Sequence, residues 1–228
     1  FAQHDTLAYA ASPVQTYVPN HPDATLMFRK LLSNDVFRQA FVVRFCDQLN
    51  TAYSRAHVTN RWAQWVDVLA PEMDEHAARW RQPTNWTYEC DRIRSYGEQR
   101  SDAVRGHIQT YFDLSAPVEL TLAVTNPAAG FVRVNALDLD AGIAGFAGYP
   151  WTGSYFTNYP VALAAQVRPG FRFVEWRQDG APFDANQTIE VALSAATELE
   201  AVFEADPAPV VAAPIVFQQL IEGADSAS

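Results

Sequence analysis

The hydrophobic pattern of this chain changes period once, near Ser115, and that change restricts it to a mixed architecture. Before that point apolar side chains return every three or four residues. After it they alternate with polar ones over four to seven residues, with Gly, Pro and Asn in the gaps. The alternating segments are GFVRVN (130–135), GSYFTNYPVALAA (153–165), RPGFRFVEW (168–176), TIEVAL (188–193) and ELEAVF (198–203). The first spacing is that of helices with a buried face, and the second that of half-buried antiparallel strands. The expected fold class is therefore α+β. A helical subdomain of about four helices spans 1–115 and an all-β, antiparallel, sandwich-like module spans 116–205. A Pro- and Ala-rich linker, 206–228, ends in IVFQQLIEG, which reads as the first strand of something further, beyond Ile215.

Within the first half, residues 1–22 read as an extended lead-in, with prolines at 13, 19 and 22. Asp23 is placed to cap a helix through Leu32, and Ser33 or Asn34 to cap the next. In that second helix Phe37, Phe41, Phe45 and Leu49 form a stripe widened by Val42, Cys46 and Tyr53. A stripe this broad implies packing on two sides. Thr59 is expected to cap a third helix carrying Trp62, Trp65, Val66, Leu69, Met73 and Trp80, with Pro71 kinking or breaking it. A fourth starts near Thr84 and presents Trp86, Cys90, Ile93, Val104, Ile108 and Phe112 on one face, with Gly97 weakening its middle. After Pro117 the strands begin. ALDLDAGIAGFAGYP (136–150) suits a loop or an irregular hairpin.

A chain of 228 residues, 49% of them hydrophobic, buries a core without staples. The formal charge of −10 is uneven, with −1 up to Ser115 and −9 after it. An acidic β module repels phosphate backbones and anionic lipid, which argues against nucleic acid and anionic membrane surfaces as partners. No run of about 18 apolar residues is present, so no membrane-spanning helix is expected. The chain opens without Met and without a basic-then-apolar signal segment, so the expectation is a piece of a longer polypeptide. Cys46 and Cys90 are an even pair: in an exported protein they read either as a disulfide or as two buried thiols.

The motifs of the helical half resemble the carboxy-terminal part of the CotH kinase-like family, the spore coat protein H family. The resemblance rests on LMFRKLLSNDVFRQAFVVRFCDQLN (26–50), then on Trp62, Asp67 and Arg79. It continues through the Trp86, Cys90, Ile93 and Arg100 series with Val104, Ile108 and Phe112 behind it. What it implies is an atypical protein kinase whose Mg-ATP-handling aspartates lie upstream of this block. No catalytic, cofactor-binding or metal residue is therefore carried over, and Asp5, in HDTLAYA, does not reproduce the expected acidic pattern. The β half resembles the divergent internalin B-repeat type of bacterial surface module, on Gly130–Asn135, Tyr155–Phe156, Val161–Ala165 and Pro169–Trp176. That resemblance implies a spacer or adhesion module on a secreted or cell-surface bacterial protein. The ending PIVFQQLIEG is weakly similar to the opening strand of lamin-tail-like domains.

Neither GxGxxG nor GxxxxGK[ST] occurs, and Lys30, the single lysine, reads as a solvated helix residue rather than a phosphate contact. Glu72, Glu75 and His76 fall within about one turn, and Asp138 and Asp140 alternate as in calcium loops. A solvated helix face and an incomplete oxygen set are the preferred readings of the two. No HExxH or GxSxG is present. The remaining candidates are aromatic: Tyr149, Trp151, Tyr155 and Tyr159 surround a Gly-Pro loop and suit a platform for a cell-surface glycan or protein. Core filling is the competing reading, with Trp151 expected in the loop. Two functions follow as expectations. One is a non-catalytic supporting part of an exported CotH kinase-like protein, partnered by an upstream catalytic lobe. The other is a carbohydrate or cell-surface binding module.

Overall fold

The computed structural model of the chain describes residues 3–12, 23 and 25–206. Most of the 1–22 lead-in and nearly all of the 206–228 linker lie outside the described residues. Among the described residues six α-helices precede nine strands: α1 (Thr6–Ala11), α2 (Leu26–Leu32), α3 (Asp35–Asn50), α4 (Arg55–Leu69), α5 (Met73–Trp80) and α6 (Trp86–Tyr111). The strands are β1 (Pro117–Val124), β2 (Gly130–Val134), β3 (Leu137–Leu139), β4 (Trp151–Phe156), β5 (Val161–Val167), β6 (Phe171–Gln178), β7 (Ala181–Asp184), β8 (Thr188–Val191) and β9 (Thr197–Ala205). The fold is α+β, with the change from helix to strand where the hydrophobic period changes.

The helix ends follow from short polar side chains. Asn34 caps α3 by accepting from the Phe37 amide at 3.1 Å and Asn85 caps α6 by accepting from the Tyr88 amide at 2.9 Å. Two caps differ from expectation. The helix assigned to Thr59 starts earlier, at Ser54, which accepts from the His57 amide. Thr59 then sits inside α4 and returns its hydroxyl to Arg55 O at 2.8 Å. Thr25, not Asp23, is the N-cap of α2 and makes no side-chain cap bond. Pro71 breaks the third helix as expected, into α4, a 3₁₀ turn over Ala70–Glu72 and α5. The lead-in holds one unforeseen helix, α1, whose Ala8 amide donates to Asp5 Oδ1.

The strands form two sheets, ordered β4-β1-β9-β6-β7 and β3-β2-β5-β8. Every described pairing is antiparallel except that of β1 with β9, which run parallel with Leu122 opposite Leu199. Alternation cannot distinguish the two directions, because both place every second side chain on one face. Register sets Tyr155, Gly153 and Trp151 of β4 opposite Val118, Leu120 and Leu122 of β1. It also sets Trp176 of β6 opposite Ala201 of β9. These residues share the inward face, which meets Val132, Val134, Val161 and Leu163 of the other sheet in one core. The outward face of the larger sheet carries Thr121, Thr152, Glu119 and Glu198, and both of these glutamates are exposed.

The core does not stop at the sheets. Val42, Cys46 and Leu49 of α3 and Ile108 of α6 belong to the same buried cluster. On its other flank α3 stacks Phe41 against Phe28 of α2 and Phe112 beyond α6. The α3 stripe is thus covered on two sides, except at Tyr53, which lies past the end of the helix and is exposed. No helix among the described residues is long and apolar enough to cross a membrane.

Candidate functional site

The aromatic candidates do not form an exposed platform. Trp151 is the first residue of β4 rather than a loop residue, and it is only 5% exposed. Tyr155, at 2%, is fully enclosed. Tyr149 is half-buried: its hydroxyl donates to Leu139 O at 2.7 Å and accepts from the Val132 amide at 2.8 Å. Burial pushes its phenol up to about 12. Tyr159 is half-buried against the Arg38 guanidinium. Rings on alternate positions of β4 face the second sheet, and the Gly-Pro loop that suggested a platform only delivers them there.

The other candidates disperse as well. Both acids of the LDLDAG segment are engaged by arginine. Arg133 holds Asp138 through two contacts, at 2.5 and 3.0 Å. Arg168 Nη2 lies 2.7 Å from each oxygen of Asp140. Glu72, Glu75, His76 and Lys30 are exposed. Among the described residues no three His, Cys, Asp or Glu come together as metal ligands. Cys46 and Cys90 are both buried free thiols, so the disulfide considered from their count is not formed. Cys46 lies in the core shared with the sheets, and burial pushes its thiol up to about 11. Cys90 faces α4, where its carbonyl accepts from Trp62 Nε1 at 3.2 Å.

The structure concentrates polar chemistry elsewhere, where α3 meets β4, an edge strand of the larger sheet. Asp47 is 1% exposed. Its Oδ1 accepts from Tyr155 Oη at 3.0 Å and from Asn135 Nδ2 at 2.8 Å, one donor from each sheet. Asn135 follows β2 with φ of 51°. Asparagine tolerates that left-handed conformation better than most residues. Its side-chain oxygen accepts from the Ala162 amide and its own amide donates to Ala162 O. One turn along α3, Asn50 pairs with the Ser154 backbone in both directions at 3.0 Å. Arg105 of α6 completes the set, donating to Ser154 O and to Asn50 Oδ1 at 2.9 Å each.

Close approach of backbone to helix makes this possible. A Cβ at Gly153 would lie 2.4 Å from the Trp151 ring and 2.9 Å from Asn50 Nδ2, so no side chain fits there. The electrostatics follow from burial. Desolvation raises the Asp47 carboxyl to about 6, against the opposing pull of the Asn135 and Tyr155 hydrogen bonds and of Arg44. The Tyr155 hydroxyl is raised well above its ordinary value by its own burial and then by the Asp47 charge.

Sequence reasoning passed over Asp47, Asn50, Arg105 and Asn135. The signal was present: Asp47 and Asn50 interrupt the apolar run Phe45, Cys46 and Leu49 at positions that an exposed face would not place beside it. What this arrangement does chemically is join. Asp47, Asn50 and Arg105 tie α3 and α6 to β4 and to Asn135 after β2.

No curated protein matches the chain. No solved structure matches it either. Residues 2–104, which include α1 to α5 and most of α6, match the model of the family described as CotH kinase protein, and the helical half of this chain is CotH-like.

Proposed function

We propose that this chain is the non-catalytic carboxy-terminal part of an exported bacterial CotH kinase-like protein. The helical block and the β module act as one support, attached to an upstream lobe that carries the phosphate chemistry. The observation that carries this reading is that the CotH-like helix α3 is built into the β sandwich by Val42, Cys46, Asp47 and Asn50. A helix tied to both sheets transmits position; it does not by itself transform a substrate. Phosphoryl transfer requires carboxylate-held Mg²⁺ and a cationic cradle for the phosphates. In support, Asp138 and Asp140 are paired with arginine and Asp47 is enclosed by hydrogen bonds. The β module, with its acidic outer face and filled core, suits a spacer of the surface-repeat kind. Calorimetry with Mg-ATP on this chain and on one extended upstream tests the reading. Binding is expected in the longer chain alone, and tight binding of Mg-ATP by this one would refute it.

A further inference from the structure

A recess of about 550 Å³ lies along α6, but its charged lining is Glu89 and Asp91 with Arg92, which Glu89 already pairs, and it points to no ligand. A second recess, of about 530 Å³, lies between α3, α4 and α6. Its walls are Phe45, Leu49, Val58 and Val104, with Tyr53 and Tyr96 at its edge. The size falls within the range of small-molecule sites, roughly 300–1,000 Å³, and so does the predominance of apolar lining over a few polar groups. The recess is not simply loose packing. α4 and α6 approach closely at Gly97, where a Cβ would stand 3.1 Å from Val58.

The charge of the recess is one-sided. Arg44 and Arg100 line it and no Asp or Glu does, in a protein of net charge −10. Arg100 is held by donating to His4 O at 2.7 Å and to Thr6 Oγ1 at 3.3 Å. Arg44 is half exposed, and the carboxylate of Asp47 stands 4.0 Å away. Asn135 and Tyr155 take only its Oδ1; its Oδ2 faces Arg44, whose half-exposed guanidinium keeps further N–H donors for a ligand. A guanidinium so placed presents a planar fork of donors that matches a planar carboxylate. We propose that this recess binds a free medium-chain carboxylic acid, the acyl chain between α3, α4 and α6 and the carboxylate on Arg44. This is independent of the kinase-family reading, because it uses only the helices and their charges.

Calorimetry on the full chain at pH 8, below micellar concentrations, with decanoate, decanol and decyltrimethylammonium tests it. Decanoate is expected to bind with one-to-one stoichiometry and at least tenfold more tightly than decanol, and the cation not at all. Arg44→Gln is expected to reduce decanoate to the level of decanol while leaving decanol unchanged. Val58→Phe, which fills the recess, is expected to abolish both. Far-UV circular dichroism checks folding, and if Val58→Phe misfolds, the exposed Arg44→Gln change decides alone. Equal affinity for the three probes, decanoate binding insensitive to Arg44→Gln, or no saturable binding, as when the chain's own residues or a second copy fill the recess, would each overturn the proposal.

Discussion

The Asp47 carboxyl makes the stability of the helix–sheet junction depend on pH in a direction opposite to that of most acidic residues. Its folded-state value is raised by burial from the ordinary 3.8 to about 6, so the folded protein takes up this proton more readily than the unfolded chain. The associated stability is fully present below 3.8 and is lost as pH rises through 6. The shift corresponds to about 3 kcal/mol between the two limits, at about 1.4 kcal/mol per pH unit. About 2 kcal/mol of this separates pH 4.5 from pH 8. Asp47→Asn removes the charge but keeps an oxygen to accept from Tyr155 and Asn135. The variant amide gains an N–H that lacks a partner, a roughly pH-independent cost of about 1–3 kcal/mol. The test is therefore the change in the difference between the two proteins. Urea unfolding followed by tryptophan fluorescence at pH 4.5, 6 and 8 is expected to show the variant gaining about 2 kcal/mol on the wild type as pH rises. Other titrating groups cancel in that comparison. A difference independent of pH, or one that moves the opposite way, would refute the account of Asp47 as a buried carboxyl whose ionisation is resisted by its surroundings.

Trp151→Ala empties a core position and is expected to cost about 3–5 kcal/mol in the same assay; a loss of polysaccharide retardation without a loss of stability would restore the binding reading of this residue. With both thiols buried, iodoacetamide at pH 8 is expected to leave Cys46 unmodified in the native protein and to alkylate two cysteines after denaturation without reductant. Mass spectrometry reads the count, and an unmodified pair in the denatured chain would establish a bridge.

Much of the architecture was legible because it depends on period and punctuation. Pro71 broke its helix and Asn34 capped α3, since each acts within a few residues of itself. The strands were legible for the same reason, but the parallel pairing of β1 with β9 was not, because strand direction is set by partners some 80 residues apart. The fate of the aromatics illustrates the limit. A Tyr or Trp beside Gly and Pro reads as a loop platform, yet the inward face of β4 is decided by its register against β1. Asp47 was missed from the other side. A lone Asp in a helix ordinarily faces water, and its two donors come from residues 88 and 108 positions away.

Asp47 and Asn50 also account for why α3 sits at one rotation on the sandwich. Val42, Cys46 and Leu49 supply the apolar burial, but a face of small hydrophobes tolerates sliding and rotation. Residues three apart on a helix share one side, so Asp47 and Asn50 together fix both angle and height against Tyr155 and Ser154. Gly153→Ala tests this division of labour. The added methyl would fall 2.9 Å from Asn50 Nδ2 and 2.4 Å from the Trp151 ring, an overpacking that typically costs about 1–3 kcal/mol. If the polar pair sets the position of α3, Gly153→Ala and Asn50→Ala are expected to be strongly non-additive, because the first displaces the partner that the second removes. Unfolding free energies of the two single variants and the double variant complete the cycle. Additive costs would mean that the apolar face alone holds the helix in place and that the polar pair merely accompanies it.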